Sequence, residues 1–402
     1  MNLGEEIICR LADIARCSEP GPGVTRMPFT REHRDALSLL KRWMQKAQLE
    51  VFLDDAGTLV GRRQRDESKP TLLIGSHQDS IPQGGAFDGI LGIVLPILCL
   101  EQLKDEELNV NVEILAFADE EGVRFPTALI GSRSIAGTLD PGAIDGSDAK
   151  GVTVRQAMMD FGLHPDSLPG LARDHTDIRG FVEVHIEQGP VLEDKNLAVG
   201  VVTAICGIER WAVVMYGRAA HAGTTPMELR KDALSGAAEV IAEVERHCRE
   251  TSELVGVVGS LHVIPNAVNV IPAEAHFTIE LRSSDDSTRE AAGEAMAYVV
   301  RTVADRRGLG FHVEKTYAQS AVQCDKELSD GLLDSIYQNH QPHYSLMSGA
   351  THDASAMSDL CPVAMLFVRC KSGISHHHEE SITADDADMA AKVLIRFLKN
   401  LP

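Results

Sequence analysis

The sequence from Gly75 to Gly92 is GSHQDSIPQGGAFDGILG, and this stretch decides the fold of the chain. It begins where one apolar run, 71–74, stops, and it ends where a second apolar run, 90–100, starts. This order predicts a strand, a glycine-rich loop and a buried helix. Because ligands of open α/β sheets bind at the carboxyl ends of strands, we expect the loop to belong to a functional site.

An imidazole and a carboxylate lie at the two ends of this loop. His77 ends the predicted strand and Asp88 precedes the helix, and such a pair suits a divalent metal ion. Asp79 lies two residues after His77 on the same side of the strand, so it could orient the imidazole. A histidine near a glycine-rich loop also fits a purely structural role, so the metal interpretation depends on the rest of the chain.

Two later predicted strands carry further metal-binding residue types at their carboxyl ends. The strand 110–118, VNVEILAFA, is followed by the acidic sequence DEE at 119–121. The strand 181–188, FVEVHIEQ, alternates apolar and polar residues and carries His185 near its end. This recurrence at successive strand ends indicates one shared metal centre, although each piece taken alone also fits a solvated turn or a buried strand histidine.

Together with His376 in the polar loop 371–381, these residues are enough to hold two divalent ions. Two ions about 3.5–4 Å apart need a bridging carboxylate, for which we predict Asp88. A water or hydroxide between such ions becomes a nucleophile, and a carboxylate that binds no ion must take its proton. Glu120 and Glu121 are adjacent and alternate in direction, so one is expected to bind an ion and the other to act as the base.

Composition limits the partners of the protein. The formal net charge of −21 argues against nucleic acid or an anionic membrane surface as a partner. The eight cysteines include no C-x-x-C pair, which indicates reduced thiols in a cytoplasmic protein rather than a disulfide framework. Residues 1–16 are predicted to form an amphipathic helix rather than a signal peptide, and the longest apolar run, 90–100, is too short to span a bilayer.

The length of 402 residues predicts two domains, one inserted into the other. Between 209 and 316 the pattern of apolar residues predicts the order β-α-β-β-α-β, which is the ferredoxin-like arrangement. It includes a helix over 227–250 and a single strand over 256–264. We therefore predict an α/β fold in which a mixed-sheet catalytic domain, 1–208 and 317–402, is interrupted by a ferredoxin-like domain at 209–316.

Seven motifs, in order along residues 70–385, resemble one family. They are GSHQDSIPQGGAFDGILG, FADEEGVRFPTALIGSR, HIEQGPVLE, GRAAHAGTTPMELRKDA, NVIPAEAHFTIELRSSD, SGATHDA and GISHHHEES. The chain is similar to the amidase/hydantoinase/carbamoylase branch of the dinuclear-metal aminoacylase and carboxypeptidase superfamily, which includes N-carbamoyl-L-amino-acid hydrolases and allantoate amidohydrolases. It departs from the usual family pattern at Thr351 and at His378.

The resemblance implies a role for each residue of the predicted metal centre. The implied metal ligands are His77, Asp88, Glu121, His185 and His376. Asp88 matches the bridging ligand, His77 and His185 belong to one ion, and Glu121 and His376 belong to the other. Glu120 matches the general base. The implied cofactors are two divalent metal ions per subunit, Zn or alternatively Mn, Co or Ni.

The resemblance also implies how substrate is held. His221 matches a histidine that reaches the site of the partner subunit in a homodimer and polarises the substrate carbonyl. Arg282 matches the residue that binds the substrate carboxylate, and a guanidinium suits that role because it binds carboxylates with two parallel hydrogen bonds. Asn269 matches an amide that contacts the ureido or carbonyl group, and Gln188 is expected to line the same pocket. The inserted domain matches the lid and dimerisation domain of the family.

The implied activity is hydrolysis of a linear amide or ureido C–N bond. The substrate would be a small N-carbamoyl-L-amino acid or a related ureido acid such as allantoate or ureidoglycolate, attacked by a metal-bridging hydroxide. Two alternatives remain at this point: an aminoacylase or dipeptidase of the same superfamily, and a metal-binding scaffold without catalysis.

Overall fold

The computed structural model describes residues 2–401. The chain forms two compact units: a first unit of residues up to 203, 324–346 and from 350 onward, and a second unit of 204–323 with 347–349. The domain boundaries expected from the sequence, 1–208, 209–316 and 317–402, remain a proposal for the functional domains.

The secondary structure within the described residues alternates strands and helices along the first unit, as an α/β fold requires. The strands are β1 (Glu50–Leu53), β2 (Leu59–Arg63), β3 (Thr71–His77), β4 (Asn111–Phe117), β5 (Ile178–Ile186), β6 (Val199–Ile205), β7 (Gly207–Tyr216), β8 (Leu254–Val257), β9 (Leu261–Ile264), β10 (Glu274–Ser283), β11 (Gly310–Gln319), β12 (Val322–Gln323), β13 (Ser345–Ser348) and β14 (Val363–Val368). The helices are α1 (Leu3–Ile14), α2 (Arg31–Lys46), α3 (Leu91–Gln102), α4 (Ile130–Ala136), α5 (Val154–Phe161), α6 (Val191–Asp194), α7 (Ala233–Glu250), α8 (Asp286–Arg307), α9 (Lys326–Gln338), α10 (Asp353–Met357) and α11 (Ala384–Asn400).

The sheet of the first unit places three strand ends side by side. Its strands lie in the order β1-β2-β4-β3-β5-β14-β6. The four central strands, β4, β3, β5 and β14, run parallel, whereas β2 and β6 pair antiparallel with their neighbours. This mixed sheet confirms the predicted fold class. Because parallel strands end at one edge, the residues that follow β3, β4 and β5 meet there.

The helix α3 fixes the start of this arrangement. All ten residues from Leu91 to Leu100 are buried, so the helix is apolar on every side, as the sequence predicted. Gly92 allows the close approach to the sheet, because a Cβ at this position would lie 2.3 Å from the Val184 carbonyl oxygen. The loop that ends at α3 is therefore held between the helix and the strand ends.

The second unit is an antiparallel sheet with two helices. Its strands lie in the order β11-β7-β10-β8, and β9 also pairs with β10, which is the ferredoxin-like strand order. The residue ranges predicted for two secondary-structure elements of this unit were wrong. The helix expected over 227–250 begins at Ala233, because Asp232 caps it and the preceding Arg230 is extended. The strand expected over 256–264 is divided into β8 and β9, and Gly259 lies between them.

None of the helices within residues 2–401 combines the length and apolar character needed to cross a bilayer.

Candidate metal centre

Six polar side chains from distant parts of the first unit converge at the carboxyl ends of its parallel strands. They are His77 at the end of β3, Asp88 before α3, Glu120 and Glu121 after β4, His185 near the end of β5, and His376 in the loop before α11. Side-chain exposure is below 10% for the first five, whereas His376 is about half exposed. Burial of so many polar groups without function would be costly, so their convergence indicates a site.

The Asp88 carboxylate lies at the centre of this group and faces different histidines with its two oxygens. Oδ1 is 3.1 Å from His185 Nε2 and 3.8 Å from His77 Nε2. Oδ2 is 3.3 Å from His376 Nε2, which is in turn 3.8 Å from Glu121 Oε2. One carboxylate oxygen thus belongs to each of two ligand clusters, as a bridging role for Asp88 requires.

Main-chain carbonyl groups orient the two buried imidazoles. His77 Nδ1 lies 3.1 Å from the Asp79 carbonyl oxygen, and His185 Nδ1 lies 2.9 Å from the Ile186 carbonyl oxygen. With Nδ1–H donating in each ring, Nε2 keeps its lone pair and faces the Asp88 carboxylate. The expectation that the Asp79 side chain orients His77 was wrong in detail, because its carboxylate is 3.8 Å from Nδ1 and the backbone makes the contact.

The Asp79 carboxylate instead holds the acidic turn after β4. It accepts the Glu120 N–H on Oδ1 and the Glu121 N–H on Oδ2, both at 3.2 Å. β4 ends at Phe117, and Asp119 has a left-handed backbone with φ of 59°. The two glutamates are therefore separated in direction by this clamped turn and not by strand alternation, which corrects the reasoning from the sequence.

Four carboxylates, of Asp79, Asp88, Glu120 and Glu121, lie beside the three imidazoles of the centre. Burial, followed by repulsion from Asp88, raises the pKa of Glu121 to about 7. Burial also raises the pKa of Glu120 well above its usual value. Among the described residues, no lysine or arginine forms an ion pair with either glutamate or with Asp88. A cation bound among these carboxylates would offset their mutual repulsion.

The donor set fits divalent metal ions. Imidazole nitrogens and carboxylate oxygens suit Zn, Mn, Co and Ni. Ligand atoms of His77, Asp88 and His185 all lie within 4.8 Å of one another, and the same holds for Asp88, Glu121 and His376. These two clusters share only Asp88.

Two polar residues next to the metal centre, Glu183 and His352, were not predicted as site residues from the sequence. Glu183 is fully buried on β5, where Oε1 accepts the Ser76 hydroxyl at 2.6 Å and Oε2 accepts the Ala354 N–H at 2.9 Å. The His352 ring packs edge-on against His185 with a centroid distance of 4.5 Å. The sequence of β5 alternates apolar and polar residues, but both faces of this central strand are covered. A polar residue such as Glu183 on a central strand covered on both faces is a candidate for a functional role.

Gln188 lies at the site, as expected. It has a left-handed backbone with φ of 55°, and its Nε2 donates to Asp88 Oδ2 at 3.0 Å. It also contacts the Ser375 hydroxyl at 3.2 Å. The Gln188 side-chain amide thus contacts the central carboxylate of the centre.

The other predicted substrate residues, His221, Asn269 and Arg282, belong to the second unit. His221 is exposed, and its Nδ1 accepts the Gly223 N–H at 3.1 Å, which leaves Nε2 to carry the proton of the neutral ring. Asn269 is exposed on the adjacent segment, where its main-chain carbonyl oxygen accepts the Ala222 N–H at 2.9 Å.

Arg282 on β10 is engaged by an acid in the structure. Its Nε and Nη2 donate to Glu280 Oε1 at 2.8 and 2.6 Å, and its Nη1 donates to the Gly349 carbonyl oxygen. Glu280 also pairs with Arg210. Glu280 is therefore shared between Arg282 and Arg210.

Gly89→Ala is expected to weaken metal binding by roughly 10–100-fold, the usual cost of disturbing the support of a ligand. Gly89 has φ of 66°, and a Cβ there would lie 2.4 Å from His77 Cε1, so the imidazole must move. Competition with a chromophoric chelator measures the effect. Gly151→Ala is the matched control, since Gly151 has φ of 81° but open space around it. Equal metal affinity in the two variants would contradict the prediction.

Comparison with known proteins places the chain among hydrolases. The model of peptidase family M20/M25/M40 matches residues 73–400. An N-carbamoyl-L-amino acid amidohydrolase of Geobacillus stearothermophilus is 38% identical over 395 residues, with 97% of each chain covered. Allantoate deiminase 1 of Glycine max is 36% identical, over 99% of this chain and 90% of the relative. The crystal structure of an amidase of the hydantoinase/carbamoylase family from Burkholderia multivorans has a TM-score of 0.92 at 30% identity, covering 98% of this chain and 97% of that chain.

Proposed function

Because the chain belongs to peptidase family M20/M25/M40, we propose that it is a metal-dependent amidohydrolase that cleaves a linear ureido or amide C–N bond. The proposed substrate is an N-carbamoyl-L-amino acid or a related ureido acid, allantoate or ureidoglycolate. The observation that carries the proposal is the Asp88 carboxylate, whose two oxygens serve two ligand clusters beside an acidic turn. Relatives that cover nearly the whole chain and act on such substrates support it.

We propose two divalent ions per subunit, Zn or alternatively Mn, Co or Ni. His77 and His185 would hold one ion, Glu121 and His376 the other, and Asp88 both. When bound, the ions supply positive charge that activates a water as nucleophile and polarises the substrate carbonyl. The cytoplasmic location is proposed as well, supported by a cysteine pattern typical of reduced thiols.

Glu120 is the proposed general base. Its carboxylate takes a proton from the attacking water and returns it to the leaving nitrogen, which departs as a neutral amine or ammonia. For an N-carbamoyl amino acid, one water is consumed, and the amino acid, ammonia and CO2 are released.

The residues of the second unit are proposed to act on the substrate. His221 of the partner subunit donates Nε2–H to the carbonyl oxygen as negative charge develops there. Arg282 binds the substrate carboxylate, and Asn269 and Gln188 contact the ureido group. This assignment requires a homodimer, and the exposure of His221 within its own chain supports it.

Ammonia release tests the proposed activity. The enzyme is reconstituted separately with Mn, Co and Zn and offered N-carbamoyl-L-amino acids, allantoate and ureidoglycolate. We expect ammonia from one of these classes. N-acetyl amino acids and dipeptides form the comparison set, since they release an amino acid without ammonia. Turnover confined to the comparison set would replace the proposal by an aminoacylase or dipeptidase, and silence of both sets with two ions bound would indicate a scaffold.

A further inference from the structure

Glu380 is a buried carboxylate next to the metal centre that belongs to neither ligand cluster. It is 4% exposed and lies four residues after His376. Burial of an ionisable group needs compensating hydrogen bonds, and all the partners of Glu380 lead to Asp88 or to the loop of His376. This arrangement indicates a role in the centre and not only in folding.

One oxygen of Glu380 fixes the backbone that carries Asp88. Oε1 accepts the N–H groups of Phe87 and Asp88, both at 3.0 Å. The contact is possible because residue 85 is glycine, since a Cβ there would lie 2.1 Å from the same oxygen. Gly85 thus makes room for a carboxylate that comes from almost 300 residues later in the chain.

The other oxygen of Glu380 reaches the Asp88 side chain through a hydroxyl. Oε2 is 3.0 Å from Ser375 Oγ, which is 3.2 Å from Asp88 Oδ2. That Asp88 oxygen is also the one that faces His376 Nε2. A single carboxylate therefore connects the two loops whose ligands form the cluster of Asp88, Glu121 and His376.

We propose that Glu380 is a positioning residue, which holds Asp88 and His376 in the relative arrangement that the second ion requires. The inference rests on the proposed two-ion centre and goes beyond it, because it assigns the affinity of one ion to a residue that touches neither. The ion at His77 and His185 depends less on Glu380, because those imidazoles are fixed by their own backbone contacts.

Zinc titration of the full-length protein against a chromophoric chelator tests the proposal without substrate. We expect the ion of Glu121 and His376 to be the weaker one, because His376 is about half exposed whereas His77 and His185 are buried. For Glu380→Ala the affinity of this weaker ion should fall tenfold or more, while the tighter ion changes less. Glu380→Gln should stay within about threefold of wild type, because the amide oxygen still accepts both N–H groups and the amide NH2 can donate to Ser375. Ser375→Ala should weaken the same ion in the same direction, with a smaller loss.

Asp54→Ala is the matched control. Asp54 Oδ1 also accepts two main-chain N–H groups, from Ala56 and Thr58, both at 2.9 Å, and it has no contact with the metal clusters. Melting of the metal-free proteins measures the loss of folding stability in each variant. A purely structural Glu380 would lower the melting temperature as Asp54→Ala does and leave both ion affinities unchanged, which would overturn the proposal.

The outcome also separates this inference from the proposed function. Two ions bound by the wild type and loss of the weaker one in Glu380→Ala support the positioning role even if every ureido substrate fails. Equal impairment of the Gln and Ala variants would overturn it, since hydrogen-bond geometry would then not be the cause. A wild type that binds fewer than two ions would overturn the two-ion centre and the role of Glu380 together.

Discussion

Glu120→Gln is expected to lower kcat for ammonia release by roughly 10²–10⁴-fold while both metal ions stay bound. The amide has the shape of the carboxylate but cannot take a proton from water. The backbone of residue 120 is held by its N–H bond to Asp79, which the substitution does not touch. Glu120 Oε2 lies 4.0 Å from His77 Nε2, so the amide also fits without displacing the imidazole.

The adjacent glutamate supplies the control for this experiment. Glu121→Gln alters the residue predicted as metal ligand, so it should lower the metal content first and activity as a consequence. Metal analysis of both variants, together with steady-state kinetics at saturating metal, separates the two roles. Full activity of Glu120→Gln with normal metal content would remove the central step of the mechanism. Loss of metal from Glu120→Gln but not from Glu121→Gln would show that Glu120 is the metal ligand and Glu121 the base.

Mixing two inactive variants is expected to restore activity if His221 acts in the partner subunit. A protein with Glu120→Gln keeps its own His221, and a protein with His221→Ala keeps its own Glu120. In a symmetric dimer, the mixed species contains one site with both residues intact. After random exchange at equal amounts, about a quarter of wild-type activity should return, because half of the dimers are mixed and each has one intact site.

The mixing experiment gives a different result if His221 acts in the site of its own chain. If it served the site of its own chain, each variant subunit would lack one group in its own site, and mixing would restore nothing. His221→Ala alone should lower kcat by roughly 10²–10³-fold, the usual cost of one donor to a developing oxyanion. His247→Ala provides a control for the exchange procedure, since His247 lies in the last turn of α7 and has no proposed role at the site.

The local pattern of apolar residues in the sequence was sufficient to predict most helices and strands of the fold. The apolar run of α3 and the strand patterns around it predicted a buried helix within a mixed-sheet α/β domain, because burial on all sides leaves an uninterrupted apolar sequence. The apolar pattern did not predict where a helix or strand begins or ends when polar contacts set that boundary. The start of α7 at Ala233 depends on the Asp232 side chain, which accepts the Ser235 N–H at 2.9 Å. The strand β6 (Val199–Ile205) was not predicted, and its antiparallel pairing with β14, which follows more than 150 residues later, is seen only in the folded sheet.

The sequence by itself determined which residue types stand at the ends of the parallel strands, because strand ends and the loops after them are set by local apolar periodicity. Only the tertiary structure decided what each of those residues does. Asp79 clamps the acidic turn, Asp88 divides its two oxygens between two clusters, and Glu380 ties Asp88 to the loop of His376. These contacts join residues 41 to 292 positions apart, and such hydrogen bonds leave no periodic signal in the chain because their geometry exists only after the sheet has formed.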